Sequence, residues 1–169
     1  MLIRIIPVLL LFSTLSGCGF HLRGSFDVDK LPASMRQMSV EGVRWNNPLA
    51  VDLRGALKAA GVKVPLEDAS STSVLTIISA NRKRRVLSVS ATTGKVREFE
   101  LFYSVVFNVS DSNGKPLIEK QTVSLVRDYI FDPTSVHAEA SEEQLVFSEM
   151  RQAAVQQILR RMRAQAGGS

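Results

Sequence analysis

The chain has 169 residues, of which 45% are hydrophobic and 22% are charged, and its formal net charge is +5. These are ordinary values for a globular domain, so they argue against wholesale disorder and predict one compact domain. Because Cys18 is the only cysteine, the chain can form neither an intramolecular disulfide nor a metal site built from several thiolates.

Residues 1–17 form a predicted signal peptide of the lipoprotein type. Arg4 gives a positive start, and the apolar run over residues 5–12 is too short to span a bilayer as a helix. The stretch ends in a match to the bacterial lipobox, formed by Leu15, Ser16, Gly17 and Cys18. In a lipobox the cysteine receives an S-diacylglycerol and an N-acyl chain and becomes the first residue of the mature protein. The alternative is an unmodified free cysteine.

Cleavage before Cys18 would remove Arg4 and leave 152 residues with a net charge of +4. Several acyl chains anchor a protein stably in a membrane, whereas a single chain is marginal. Because Gly19 rather than aspartate follows the cysteine, resemblance to enterobacterial lipoproteins favours the outer membrane. We expect a lipidated lead segment over residues 18–32, a single α/β domain over residues 33–164 and a short tail over residues 165–169.

The domain begins with a predicted strand over residues 36–40 and a predicted helix. Asn47 suits the N-cap, Pro48 suits the first helical position, and Gly61 ends the helix. Apolar residues at three- and four-residue spacing predict one buried face, made of Leu49, Leu53, Ala56, Leu57 and Ala60. Residues 62–64 can add a brief strand before a loop that reaches residue 73.

Long antiparallel strands are predicted next. Residues 74–80 and 86–90 are rich in β-branched residues, and a turn is predicted over residues 91–94. The following strand has the clearest alternation, and its predicted core face consists of Phe99, Leu101, Tyr103, Val105, Phe107 and Val109. Its partner strand covers about residues 115–127. To bring Leu117, Val123 and Leu125 to the same face, the hairpin needs a three-residue loop, Ser112 to Gly114, with a bulge.

A second helix closes the chain. After a polar loop to residue 140, Ser141 and Gln144 match a capping box at the predicted helix start. The predicted buried face consists of Phe147, Met150, Ala154, Ile158 and Met162, with Val146, Val155 and Leu159 beside it. The element order predicts an α/β fold, a two-layer sandwich of about four mostly antiparallel strands with two helices packed on one sheet face.

The sequence contains no pattern typical of an enzyme. His21 and His137 have no His, Cys or Asp neighbour at ligand spacing, which favours exposed loop histidines over a metal site. The chain has no Gly-x-Ser-x-Gly elbow, no Walker loop and no Gly-rich dinucleotide motif. We therefore expect a protein that is not an enzyme and that needs no metal or cofactor besides its lipid.

The concentrated charge feature is a basic run over residues 82–85. It consists of Arg82, Lys83, Arg84 and Arg85, and Lys95 and Arg97 can join it across the turn. Strand alternation puts Arg82 and Arg84 on the opposite face from Lys83 and Arg85, so this part of the strand must project beyond the helices, bulge or lie at an edge. Two interpretations remain open: guanidinium groups that bind phosphates, or charges that protect an edge and maintain solubility. In an envelope compartment, phosphorylated lipid is a more abundant anion than nucleic acid.

The chain resembles the LptE family of outer-membrane lipoproteins. The resemblance rests on four segments in order, residues 18–24 (CGFHLRG), 94–101 (GKVREFEL), 127–133 (RDYIFDP) and the helix over residues 142–162. It spans nearly all of the mature chain.

The resemblance implies a partner of the β-barrel LptD, bound as a heterodimer and lodged largely inside the barrel lumen. Such a protein assists barrel assembly and helps deliver lipopolysaccharide to the surface of a Gram-negative cell. It is anchored by lipid at the periplasmic side of the outer membrane and binds no nucleic acid. The alternative is a free-standing periplasmic lipoprotein that binds an anionic envelope component, such as phospholipid or peptidoglycan.

Overall fold

The computed structural model describes residues 31–65, 71–130 and 136–166, with the side chains of the last helix described from residue 142 to residue 165. Its elements in chain order, after a short 3₁₀ turn at Ala33–Met35, are β1 (Met38–Glu41), α1 (Pro48–Ala59), β2 (Ser73–Val89), β3 (Val96–Asp111), β4 (Pro116–Ile130) and α2 (Val136–Ala166). The lipobox, Cys18, His21 and the side chain of His137 lie outside the described part.

The four strands form one sheet in the order β1-β2-β3-β4. β1 runs parallel to β2, and the other neighbouring pairs are antiparallel. Both helices contribute to a single core on one face of this sheet. The predicted two-layer α/β sandwich is therefore confirmed.

The core consists of the face predicted for β3 together with the apolar faces of both helices. Every predicted core residue of β3, from Phe99 to Val109, is at most 8% exposed. In α2 the predicted face is also confirmed, since the buried residues include Phe147, Met150, Ala154, Val155, Ile158, Leu159 and Met162. Among the described residues, neither helix combines the length and the apolar character needed to cross a bilayer.

Helix α1 begins and ends where the sequence predicts. The Asn47 side chain accepts a hydrogen bond from the backbone N–H of Leu49 at 2.9 Å, and Pro48 occupies the first turn. Gly61 follows the helix with φ of +84°, a conformation that glycine adopts at little cost. The brief strand predicted at residues 62–64 is reduced to a single parallel bridge between Gln37 and Lys63.

Two predictions about local structure are wrong. In β4, Ile118 takes the fully buried position predicted for Leu117, which packs only partly buried at the margin of the core, because a bulge between the pairs Phe107–Gln121 and Val109–Ile118 shifts the alternation by one residue. The three-residue loop, in contrast, is confirmed, because the N–H of Asp111 donates a 2.8 Å hydrogen bond to the carbonyl of Lys115 and Gly114 between them has φ of +81°. The capping box at Ser141 is also wrong, because α2 starts at Val136 and Ser141 lies inside it.

Candidate anion-binding site

The basic run lies on the part of β2 that is an edge of the sheet. β1 pairs only with residues 73–76, so β2 has one neighbour, β3, from Ile77 onward. A register shift between Ile77 and Ser79 makes Ile78 a bulge. Before the bulge, Leu75 and Ile77 face the helices; after it, the even-numbered residues take that face as far as Val86, beyond which a further register shift at Leu87 reverses the alternation. The sequence predicted that this run would project beyond the helices, bulge or lie at an edge. The structure shows both a bulge, at Ile78, and an edge position.

On the helix side, two arginines of the run lie against aromatic rings. The guanidinium of Arg82 is 5.5 Å from the ring centroid of Phe147 in α2. The guanidinium of Arg84 is 4.4 Å from the centroid of Phe99, and its Nη1 lies 2.8 Å from the carboxylate of Glu143. Cation–π contacts of this kind stabilise by about 0.5–1 kcal/mol at exposed sites. These arginines therefore connect the edge strand to the helical layer.

On the open side of the sheet, Arg85 and Lys83 differ. Arg85 forms an ion pair with Glu100 on β3 and lies 5.5 Å from the ring centroid of Phe102. Lys83 is exposed, and it is directly opposite Phe102 in the β2–β3 register. No carboxylate of the described residues pairs with Lys83. Of these two cations, Lys83 is the one available to an anion.

Lys95 and Arg97 extend the basic surface toward the β2–β3 turn. The turn is closed by a 2.7 Å hydrogen bond that the N–H of Ser90 donates to the carbonyl of Lys95. Arg97 occupies the third irregularity of the β2–β3 pair, between the pairs Ser88–Glu98 and Val89–Val96. Arg97 is three residues along β3 from Glu100, about 10 Å at strand spacing. The structure thus brings all six cations onto one hairpin, spread along its length instead of gathered in a pocket.

The charges of the hairpin fall into two groups. Carboxylates compensate Arg84 and Arg85, whereas no described carboxylate pairs with Arg82, Lys83, Lys95 or Arg97. A guanidinium that lies flat on a ring still directs N–H groups outward, in the geometry that suits a phosphate. We therefore assign Arg84 and Arg85 chiefly to edge structure, and the other four cations form the candidate anion site.

One group near the site, the phenol of Tyr103, has a shifted pKa. Burial raises the pKa of the Tyr103 phenol above its ordinary value, while Arg82 and Arg151 lower it and Asp52 raises it further. Tyr103 lies opposite Arg82 in the register and is buried in the core, so this shift reflects packing. Within residues 31–65, 71–130 and 136–166 no cluster of three or more His, Cys, Asp and Glu side chains could hold a metal.

Sequence reasoning missed the aromatic partners of the arginines. Phe99 was predicted as a core residue and Phe102 was given no role, yet each lies beneath a guanidinium. The available signal was a large aromatic side chain at an even position of β3, on a face that is otherwise mostly polar. The pairing itself depends on the Ile78 bulge, which the sequence pattern does not reveal.

The fold is that of a class of small α/β domains known from bacterial lipoproteins. The chain is similar to the solution structure of lipoprotein B from Nitrosomonas europaea, with 32% identity, a TM-score of 0.69 and coverage of 89% of this chain and 95% of that one. It is also similar to the crystal structure of rare lipoprotein B from Shewanella oneidensis, with 32% identity, a TM-score of 0.66 and coverage of 76% and 94%.

The model of the LptE lipopolysaccharide-assembly family matches residues 35–162, and the chain belongs to that family. Two relatives carry the name LPS-assembly lipoprotein LptE. The one from Pectobacterium atrosepticum is 28% identical over 149 residues, covering 87% of this chain and 77% of the relative. The one from Photorhabdus laumondii is 27% identical over 161 residues, covering 94% of this chain and 85% of the relative.

Proposed function

We propose that this lipoprotein is a non-enzymatic subunit that plugs the LptD β-barrel, assists its assembly and helps deliver lipopolysaccharide to the cell surface. The observation that carries the proposal is the family match over residues 35–162, which covers the sheet and both helices. Relatives named for lipopolysaccharide assembly support the same role. The protein would act from the periplasmic side of the outer membrane and within the barrel lumen.

The basic hairpin is proposed to contact the phosphates of lipopolysaccharide. Arg82, Lys83, Lys95 and Arg97 supply positive charge that no described carboxylate neutralises. Phosphate oxygens accept charge-assisted hydrogen bonds from ammonium and guanidinium groups, and such bonds are stronger than neutral ones. Because these cations are exposed, the attraction should weaken as salt screens it.

A matched pair of charge-removal variants tests this contact. Replacing Arg82, Lys83, Lys95 and Arg97 with serine should reduce binding to lipopolysaccharide vesicles about tenfold at low salt, and the difference should shrink at high salt. The control removes the same number of charges elsewhere by replacing four exposed cations, Lys58, Lys63, Lys115 and Lys120, with serine. Equal binding by both variants and the unsubstituted protein would leave only edge protection and solubility for the basic run.

The membrane anchor is proposed to be the acylated Cys18. Cys18→Ala should abolish metabolic labelling by radioactive palmitate and release the chain from the membrane fraction, because the only thiol is removed. If the variant remains in the outer-membrane fraction in cells that lack the barrel, lipid attachment at Cys18 is not the anchor.

Capture of the barrel is the decisive experiment for the partner. The tagged protein, extracted from envelopes in mild detergent, should bring down a stoichiometric barrel of far larger mass, and depletion of this chain should lower the amount of assembled barrel. A lone, monomeric tethered domain would instead favour the free-standing lipoprotein that binds phospholipid or peptidoglycan.

A further inference from the structure

A cavity of about 470 Å³ lies between the end of β1 and helix α1, away from the basic hairpin. Three side chains with distinct chemistry line it, namely Glu41 at the end of β1, Trp45 in the turn that follows, and Arg54 of α1. Val40, Val43 and Pro65 add apolar surface. Cavities of this volume, with a few polar groups among apolar ones, are typical of small-ligand sites.

The two charged residues of the cavity have opposite signs and are not paired with each other. Neither Glu41 nor Arg54 forms an ion pair with any described residue. The Arg54 guanidinium donates one hydrogen bond to the backbone carbonyl of Trp45, which leaves most of its five N–H groups for other acceptors. The hydroxyl of Ser39, a buried residue that also lines the cavity, donates to Oε1 of Glu41 at 3.5 Å. One cavity thus offers a carboxylate and a guanidinium at separate places.

Trp45 contributes an aromatic surface to the same cavity. It is the only tryptophan of the chain, and it is 79% exposed, although tryptophan is on average a highly buried residue. The face of an indole ring attracts a cation more strongly than the ring of any other side chain does. Together with the carboxylate of Glu41, it provides two features that attract an ammonium group.

The backbone around the cavity is held in place. Gly42 has φ of +83°, and a Cβ there would overlap the carbonyl of Ile77, so the chain lies directly on β2 at this point. Two residues after Trp45, Asn47 caps α1 by accepting from the N–H of Leu49. A site that is already ordered loses less conformational entropy when it binds a ligand.

We propose that this cavity binds a small zwitterion that carries an ammonium group and a phosphate, as phosphoethanolamine does. The ammonium contacts the carboxylate of Glu41 and the indole of Trp45, and the phosphate accepts hydrogen bonds from Arg54. A ligand with a single charge would be attracted by one of the charged residues and repelled by the other. The site does not depend on the barrel partner or on the basic hairpin.

The fluorescence of Trp45 reports binding directly, since no other tryptophan is present. The full chain, purified in a non-ionic polyoxyethylene detergent, is titrated with glycerophosphoethanolamine. We expect a saturable change in fluorescence, and binding at least about tenfold weaker for glycerol phosphate, which lacks the ammonium, and for ethanolamine, which lacks the phosphate. Equally tight binding of the uncharged sugar N-acetylglucosamine would overturn the proposal, because the opposite charges would then not select the ligand.

Charge-removal variants locate the site. Glu41→Gln and Arg54→Gln should each weaken binding of glycerophosphoethanolamine about tenfold, whereas Lys58→Gln, which removes an exposed charge from the same helix, should leave binding unchanged. Thermal unfolding shows whether each variant is folded. If all three variants bind as the unsubstituted protein does, the ligand binds elsewhere and the proposal is wrong.

A second titration distinguishes a lipid headgroup from a free compound. The same detergent micelles are loaded with phosphatidylethanolamine, and the response of Trp45 is followed against headgroup concentration. A response at lower concentration than with glycerophosphoethanolamine, lost in Arg54→Gln, identifies the ligand as a lipid. A response to the free compound alone identifies a soluble zwitterion. The absence of a response to both would refute the site.

Discussion

The guanidinium of Arg84 lies 4.4 Å from the ring centroid of Phe99, so a charged residue of an edge strand packs directly on the core. The same guanidinium pairs with Glu143 of α2 at 2.8 Å. Arg84 therefore joins β2, β3 and α2, although its side chain is 47% exposed. Its neighbour Lys83 makes neither kind of contact with the described residues. Adjacent cations of one run thus have different physical roles.

This difference predicts that substitutions at the two adjacent positions affect different properties, stability at Arg84 and lipopolysaccharide binding at Lys83. Arg84→Ser should lower the free energy of unfolding by about 1 kcal/mol, because it removes a cation–π contact and a partly exposed ion pair. Lys83→Ser should leave stability within about 0.5 kcal/mol and weaken lipopolysaccharide binding. Urea denaturation and a vesicle-binding assay measure the two quantities. Equal stability losses in the two variants would contradict the assignment of Arg84 to edge structure.

Gly42 is predicted to be less replaceable than Gly94 and Gly114, which also have a positive φ. Its φ is +83°, and a Cβ there would overlap the backbone carbonyl of Ile77 on β2. Gly42→Ala should cost more than about 3 kcal/mol, because the strained φ adds to a clash with rigid backbone. Gly114→Ala has a similar φ of +81° but open space, so it should cost only about 1 kcal/mol. Gly55→Ala, in α1 with nothing near its Cβ, should stabilise by about 0.5–1 kcal/mol. Thermal or urea unfolding gives the ranking, and similar losses at Gly42 and Gly114 would refute the clash.

The contact between the two helices is predicted to depend on Arg151 and Asp52. Arg151 Nε lies 2.6 Å from Asp52 Oδ2, and the side chains are only 15% and 27% exposed. A double-mutant cycle with Arg151→Met and Asp52→Asn should give a coupling energy of about 1–2 kcal/mol. The corresponding cycle for the more exposed Arg85–Glu100 pair should give less than about 1 kcal/mol. A coupling near zero for Arg151 and Asp52 would mean that apolar packing alone holds the helices together.

We predict that the raised pKa of Tyr103 makes the protein less stable in alkali. Because burial raises the pKa of its phenol, the folded state keeps a proton that the unfolded state releases near its ordinary value of 10.0. The unfolded state then binds fewer protons, so the free energy of unfolding falls as the pH rises above about 10. Tyr103→Phe should make this fall shallower, which urea denaturation over a range of pH can measure. Parallel pH profiles for the two proteins would show that Tyr103 does not cause the loss.

Much of the fold follows from local pattern. Several features depend only on the residues themselves and their near neighbours. These are the cap at Asn47 and Pro48, the stop at Gly61, the alternation of β3 and the three-residue loop that ends at Gly114.

The start of α2 is not one of them. Ser141 and Gln144 match a capping pattern, but the helix begins at Val136 instead. A favourable N-cap contributes only about 1 kcal/mol, so a capping pattern at Ser141 does not stop the helix from extending further toward the N-terminus.

The candidate site was only partly predictable. The basic residues and their division between two faces follow from strand periodicity. Which face points toward the helices does not follow, because the Ile78 bulge reverses the alternation of β2 and the β4 bulge puts Ile118 instead of Leu117 at the fully buried position. A bulge changes the side-chain alternation by one residue without a distinctive composition.

By itself, the sequence determined the lipobox pattern at Cys18, the strand and helix order and the basic run, since each depends on residue type and short spacing. Only the tertiary structure decided which cations are neutralised, which rest on aromatic rings and which sheet face the helices leave open. Those properties depend on register between strands, and register is fixed by the packing of the whole core.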